Sequence, residues 1–328
     1  MHLKKLTNLN TNYLENFKNL KKIEKISLKK ELIHNLVKKN KKIPSKFHYD
    51  LDGSKYFEKI TKLKEYYISR TEKKILKKIS NNFKKIFKDN ITFVEFGSGA
   101  SEKISILIKE QVKFYVPLDI SYDFLLKSSI KLAKSFLKLK IIPVYCDYIN
   151  YFKLPIILSK NKIGFFLGSS IGNFYNNEEK KFLQNAKKIL GKNSFLFVGV
   201  DLVKNKKILE KAYNDSKGIS AKFNLNLIKR INRELQTNLN QKNFKYTSQF
   251  NKQNSSVGCY LICKKKIEFT IGGKKISIKV NEKIQTEISK KFTLRSFENL
   301  SNSAGWTVKK NWLDKKNNYA IILLESKK

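Results

Sequence analysis

Phe93-Val94-Glu95-Phe96-Gly97-Ser98-Gly99-Ala100-Ser101-Glu102-Lys103 is an apolar run that breaks into two glycines at alternate positions and continues as an amphipathic stretch. The pattern predicts a strand, a tight turn and a helix, the first βα turn of a nucleotide-type cofactor site. Paired glycines let the backbone bend and approach a ligand, and a helix start offers unpaired N–H donors. The final position of Gly97-x-Gly99-x-x-Glu102 holds an acid where the dinucleotide fingerprint has its third glycine. A carboxylate there would face a pyrophosphate, which argues against NAD. A P-loop would need a longer glycine gap closed by Lys-Ser or Lys-Thr. A ligand with adenine, ribose and a positive centre but no phosphate fits the segment, and that description is S-adenosylmethionine. An ordinary strand-to-helix turn stays open on this segment alone.

The downstream order supports the cofactor reading. Lys113 to Asp119 predicts a second strand ending in an acid, about 20 residues after the turn, where a doubly wound fold places the carboxylate that holds ribose hydroxyls. The apolar spacing predicts a helix over Asp123 to Leu139 and then a third strand, Ile141 to Tyr145, ending in Cys146-Asp147-Tyr148. Asp147 is suited to accept from the adenine amine while Tyr148 covers a ring face. A fourth strand, Ile163 to Gly168, runs into Ser169-Ser170-Ile171-Gly172-Asn173-Phe174, with the next helix starting near Asn177-Glu178-Glu179. A fifth strand is expected over Ser194 to Val200. Each acid alone also reads as a solvated strand end; the ordered set of three is the stronger signal.

The chain has 328 residues, of which 41% are hydrophobic, including 23 Phe, so it can bury a large core and is long enough for two domains. Residues Met1 to Asn10 contain no sustained apolar run, and no stretch approaches a membrane span, so a cytoplasmic protein without membrane association is expected. Cys146, Cys259 and Cys263 form no metal-ligand grouping with His2, His34 and His48, so neither a disulfide framework nor a metal site is expected. The net charge of +42 would ordinarily suggest nucleic acid. All but four of the 69 basic residues are lysine, however, the arginines being Arg70, Arg230, Arg233 and Arg295. Specific readers lean on arginine for bidentate contacts, and these lysines are spread through a chain rich in Asn, Ile and Phe, as compositional drift would spread them. No specific nucleic-acid partner is expected.

Three further blocks lie outside the cofactor sequence. Phe47 to Thr61, continuing through Glu65-Tyr66-Tyr67-Ile68-Ser69-Arg70-Thr71-Glu72, is dense in aromatics. Asp201-Leu202-Val203-Lys204 is followed by Ala212-Tyr213-Asn214-Asp215, by Phe223-Asn224-Leu225-Asn226 and by a helical Leu227 to Leu235. Gln285 to Phe292 alternates as a strand, with Glu287 and Ser289 on one side. Each block taken singly also reads as ordinary structure: aromatic core, helix caps, a solvated edge strand.

Taken in order, these blocks resemble the histidine Nα-methyltransferase family of ergothioneine biosynthesis, the S-adenosylmethionine-dependent enzymes that form hercynine. The resemblance runs from about Ile43 to Glu325. It implies an α/β architecture: a Rossmann-like methyltransferase domain over residues 71–203, completed by C-terminal strands over 292–328, and a second, α+β substrate-binding domain built from 1–70 and 204–291. It places Gly97, Ser98, Lys103, Asp119, Asp147 and Tyr148 on the cofactor, S-adenosyl-L-methionine. It places Asn173 and Tyr213 on the carboxylate of L-histidine, and Glu287 and Ser289 on its imidazole. Tyr49, Phe57 and Tyr66 match positions lining the amine end, with Tyr66 and Tyr49 as the catalytic candidates. The residue types suit those tasks. A carboxylate opposite an imidazole N–H selects histidine, an amide and a phenol hold a carboxylate without charge, and aromatic faces stabilise the fixed cation that forms. Methyl transfer from a sulfonium is a direct displacement, so alignment in a water-poor site should supply most of the catalysis.

One departure bears on the substrate. Family members usually carry a longer apolar side chain, often methionine, at the position of Cys259, beside the substrate ring. A smaller thiol loosens that wall and keeps another amino acid or amine as an alternative substrate. Glu287 weighs the other way, because an acid facing an apolar substrate would be left unpaired. A lysine-rich RNA-binding protein or RNA methyltransferase is the alternative of a different class. An Asn-Pro-Pro-Tyr type motif would then be expected where this chain has Ser170-Ile171-Gly172-Asn173-Phe174, and the sequence has no Pro-Pro. A binding protein that has lost catalysis is a third reading, opposed by the presence of Glu95, Asp119, Asp147, Asn173, Tyr213 and Glu287. No oligomerisation signal stands out, and a monomer is expected.

Overall fold

A computed structural model describes residues 8–10, 29–88, 90–154, 161–271 and 273–327. Residues 1–7 of the Met1 to Asn10 stretch read above lie outside the described residues. The chain divides into two compact units. Unit 1 comprises Met1–Phe17, Ile68–Val203 and Lys291–Lys328, and unit 2 comprises Lys18–Tyr67 and Lys204–Lys290.

Unit 1 holds strands β1 (Ile91–Phe96), β2 (Val112–Asp119), β3 (Lys140–Ile141), β4 (Val144–Tyr145), β5 (Asn161–Phe166) and β6 (Phe195–Asp201). Unit 2 follows with β7 (Phe244–Asn251), β8 (Ser256–Cys263), β9 (Ile267–Ile271), β10 (Lys274–Ile278) and β11 (Lys283–Lys290). Unit 1 resumes with β12 (Trp306–Leu313) and β13 (Tyr319–Ser326).

The unit 1 strands form one sheet in the order β12-β13-β6-β5-β1-β2-β3, with β4 also paired to β2. β1 to β6 run parallel, and β13 is inserted antiparallel between β6 and β12. All six residues of β1 are buried, as expected of a parallel strand covered by helices on both faces. One covering helix, Tyr67–Ile86, turns Ile68, Ile75, Leu76, Ile79 and Phe83 inward, a stripe at helical spacing. The chain leaves β1 for β2 on one side and reaches β5 on the other, so the order reverses at β1. Doubly wound sheets bind ligands at the carboxyl edge of that reversal.

Several local expectations need correction. The stretch after Gly99 forms only a 3-10 turn, Ile104–Ile106, and no α-helix. Gly99 at φ +51° and Ser101 at φ +54° are left-handed, and two such residues within one turn keep the chain out of the right-handed helix. The third strand breaks into β3 and β4 around Pro143, which has no N–H to give the ladder. The helix expected over Asp123 to Leu139 is Tyr122–Ser135. At the N-terminus, residues 8–10 lie on unit 1. Leu9 bridges Ile141, and the Asn8 side chain donates to the carbonyls of Ala133 and Phe136 at the end of that helix.

Unit 2 builds an antiparallel sheet in the order β11-β8-β7 and a separate β9-β10 hairpin. A parallel bridge joins Lys42 to Gln285. Helix Ile219–Leu235, longer toward its start than the Leu227 to Leu235 expected, docks the N-terminal segment by polar clamps. Arg230 donates to the Phe47 carbonyl at 2.8 Å, Asn226 to Asp50 at 2.9 Å, and Arg233 to the same carboxylate at 2.9 Å. Among the described residues, no helix is long and apolar enough to cross a membrane, and no group of three or more His, Cys, Asp or Glu side chains is arranged to hold a metal ion.

Candidate functional site

In unit 1, six of the candidate residues gather at the carboxyl edge of β1, β2, β4 and β5. Gly97 turns at φ +69°, and the Tyr148 hydroxyl lies 3.3 Å from where a Cβ on Gly97 would sit. Only glycine lets that phenol and the turn meet. The Gly97 and Ser98 N–H groups both donate to the Leu118 carbonyl, which ties the turn to the end of β2. Asp119 closes β2, with one carboxylate oxygen accepting from the Gly99 N–H and the other from Ser121 N–H, each at 2.9 Å. Burial raises its pKa above the ordinary value, and those backbone donors act against the rise. The Tyr148 ring packs edge-on against Phe96, Phe166 and Phe182, and burial pushes its phenol pKa up. Asp147 accepts from Ile149 N–H at 3.3 Å.

Two polar groups stand beneath the turn. Glu95, on β1, is buried and accepts from the Tyr115 hydroxyl at 2.5 Å, and Tyr115 is joined to Ser101 at 2.9 Å. Burial pushes the Glu95 carboxyl up to about 8, so it is largely protonated at neutral pH. Lys103 forms a 2.6 Å ion pair with Glu72, whose side chain is fully buried. Asn173 ends the 3-10 turn Ser170–Asn173 that follows β5 and is half-buried.

These residues fit the cofactor expected from the sequence. Ser98 Oγ is a buried hydroxyl with no partner among the described residues, and it lies in the glycine turn itself. Such an atom needs a ligand or water to satisfy it. Asp119 offers a carboxylate to ribose hydroxyls, Asp147 an acceptor to an amine, and Lys103 an ammonium to a carboxylate.

In unit 2, rings form a connected cluster. Tyr49 meets Phe57 edge-on at 5.6 Å between centroids, Phe57 meets Tyr66 at 6.2 Å, and Tyr66 meets Tyr213 at 6.4 Å. Phe223 lies among them, 6.0 Å from both Tyr49 and Phe57, and stacks on His48 at 4.5 Å. His48 is buried between the Ser45 carbonyl and the Asn224 side-chain oxygen, each at 3.1 Å. Burial pulls its pKa down to about 4, against the two hydrogen bonds, which favour the charged form.

The sheet face beside this cluster carries the remaining candidates. The ladder sets Glu287 opposite Cys259 and Ser289 opposite Val257, so Glu287, Ser289 and Cys259 share a face. A bulge at Thr286 resets the alternation just before Glu287, and the Thr286 hydroxyl donates to Asn224 at 2.6 Å. Tyr213 donates to Ser289 at 2.7 Å. Tyr246, on the same face from β7, donates to the Tyr213 carbonyl at 2.6 Å and approaches Cys259 Sγ at 3.2 Å. Burial drives the Tyr246 phenol pKa well above its ordinary value, with Cys259 and Glu287 adding to the effect.

Three residues here were not singled out from sequence. Phe223 had its signal in the Phe223-Asn224 block, Glu72 ended the aromatic block as a fully buried acid, and Tyr246 alternates with Ser248 on β7.

Comparison with known proteins gives a consistent picture. A family model described as histidine-specific, S-adenosylmethionine-dependent methyltransferase matches residues 28–326. The chain is 28% identical over 305 residues to the histidine N-alpha-methyltransferase of Mycobacterium tuberculosis, covering 91% of this chain and 94% of that protein. It is 29% identical over 274 residues to the enzyme of the same name in Mycolicibacterium smegmatis, covering 81% and 84%. It is 30% identical over 201 residues to ergothioneine biosynthesis protein 1 of Neurospora crassa, covering 58% of this chain and 23% of that much longer protein.

Proposed function

The chain belongs to the histidine-specific, S-adenosylmethionine-dependent methyltransferase family, and from that premise we propose that it methylates the α-amino nitrogen of L-histidine three times, forming hercynine, the first step of ergothioneine biosynthesis. When bound, the cofactor supplies an electrophilic methyl group on a sulfonium. The chain's residues bind, align and exclude water.

In this reading Gly97, Ser98, Lys103, Asp119, Asp147 and Tyr148 hold the cofactor. Asn173 and Tyr213 take the amino acid's carboxylate, and Glu287 with Ser289 takes the imidazole. The observation that carries the substrate assignment is that one strand sets the Glu287 carboxylate and the Ser289 hydroxyl on one face. A substrate with an N–H opposite Glu287 gives the carboxylate a donor that an apolar substrate does not. Tyr49, Phe57 and Tyr66 face the amine. The Tyr66 oxygen accepts a hydrogen bond from the ammonium and passes its proton on toward solvent, freeing the lone pair for each displacement. Each ring face stabilises the growing quaternary cation by roughly 0.5–2 kcal/mol.

The thiol of Cys259, directly across from Glu287, supports a second reading in which the wall admits another amino acid. We further read the chain as a monomer without a specific nucleic-acid partner, working in the cytoplasm, where its three cysteines, none of them in a disulfide, stay reduced. Incubation with S-adenosylmethionine and all common amino acids, followed by mass spectrometry of small molecules, tests the assignment. Histidine gaining one, two and three methyl groups is expected. Methylation of a different amino acid would move the specificity to the Cys259 wall, and no methylation would overturn the enzymatic reading.

A further inference from the structure

We propose that Glu72 is the positioning residue that fixes the cofactor's amino-acid tail, acting through Lys103; this rests on the reading of Lys103 as a cofactor contact. S-adenosylmethionine has one anionic group, its carboxylate. A lysine in its site is therefore matched by charge to that group. A lone lysine is a weak selector, because its ammonium rides on a flexible four-carbon stem.

Glu72 removes that freedom. Its side chain is fully buried, and one carboxylate oxygen lies 2.6 Å from Lys103 Nζ. The other oxygen accepts from the Gly168 N–H at 2.7 Å and from the Tyr319 hydroxyl at 2.5 Å. Three elements thus converge on one carboxylate: the helix Tyr67–Ile86 that carries it, the turn after β5, and β13. Gly199 on β6 makes the convergence possible. A Cβ there would come within 2.1 Å of the Glu72 oxygen and 2.4 Å of the Tyr319 hydroxyl, so no side chain fits.

The ammonium held this way lies 3.2 Å from the point a Cβ on Gly168 would occupy, at the carboxyl edge of β5. The Lys103 side chain keeps 24% of its surface exposed while Glu72 keeps none. An ammonium has three donors, and Glu72 takes one from the buried side. The others face the exposed side, where the cofactor's carboxylate would arrive. Glu72 does not touch the cofactor; it sets where Lys103 points.

The test compares binding of S-adenosylhomocysteine with 5′-methylthioadenosine, which keeps adenine, ribose and sulfur but lacks the amino-acid tail, by calorimetry on the full chain. Wild type should prefer the tailed ligand. Glu72→Gln should weaken that ligand by roughly ten- to a hundredfold, the range for losing a charged hydrogen-bond partner, with methylthioadenosine affinity kept. Glu72→Asp, which restores the charge one methylene short, should fall between. Equal losses for both ligands would show general damage to unit 1 and overturn the positioning role, as would no change in either. Lys103→Met separates the two layers of the inference. If Lys103→Met keeps the full preference for the tail, the cofactor reading of Lys103 falls. If it abolishes the preference while Glu72→Gln does not, only the role of Glu72 falls.

Discussion

Replacing Glu95 by glutamine should stabilise unit 1, and by more as the pH rises. Glu95 is 3% exposed, faces the Tyr115 hydroxyl, and is held at about 8 against an ordinary 4.5. The folded pKa is the higher one, so between these two values the folded chain holds a proton that the unfolded chain has released. Stability from this group is therefore complete below the unfolded pKa and is lost as pH climbs toward the folded one. At about 1.4 kcal/mol per pH unit, the acid destabilises the fold by roughly 3 kcal/mol at pH 7 relative to an uncharged isostere. Glutamine keeps an oxygen for Tyr115 and carries no titrating proton. At about 2–4 °C per kcal/mol for a unit of this size, the variant should melt roughly 6–12 °C above wild type near pH 7. The gap should close below about pH 5. Scanning calorimetry across that range measures both. A gap that does not change with pH, or one that widens toward acid, would refute the argument that Glu95 is buried as a neutral acid.

Other substitutions probe the two halves separately. Glu287→Ala should raise the KM for histidine by roughly ten- to a hundredfold while sparing cofactor affinity, and unchanged histidine turnover would remove the basis for the imidazole assignment. Asp119→Ala should weaken S-adenosylhomocysteine by a similar factor, read by calorimetry, and unchanged affinity would remove Asp119 from the ribose. Gly97→Ala places a Cβ against the Tyr148 hydroxyl at a left-handed backbone angle. It should cost roughly 1–2 kcal/mol in stability and reduce cofactor affinity, and normal binding at normal stability would show that the turn has slack.

The strand-and-acid framework was legible because parallel strands leave clear traces: β1 reads as an apolar run broken only by Thr92 and Glu95, and Asp119 and Asp147 mark the ends of later strands. The turn after Gly99 was misread because helical periodicity continues through residues whose left-handed angles forbid a helix, and Ser101 does not advertise such an angle as glycine would. Glu72 escaped notice for a related reason. A lone acid in a helix reads as solvated, and its burial is decided by Gly168, Gly199 and Tyr319, residues remote in sequence. Glu287 and Ser289 were legible as an alternating pair, but the bulge at Thr286 that aims them arises only from pairing with β8.

The interleaved chain path bears on how the protein is made. The aromatic N-terminal segment of unit 2 finds its partners late: Lys42 bridges Gln285, and Phe47 and Asp50 are clamped by Arg230 and Asn226. At about 5–20 residues per second, translation needs on the order of 10–45 s to pass from the Tyr67 junction to the Lys290 junction. Unit 1's early strands emerge within that interval, while Phe47, Phe57 and Tyr66 wait without their sheet. Nascent chains stalled before β11 should be cut by protease within this segment, and chains stalled after unit 1 is complete should resist. Until then those rings are an adhesive surface on the ribosome, and this aromatic segment is the one a chaperone would have to shield during synthesis.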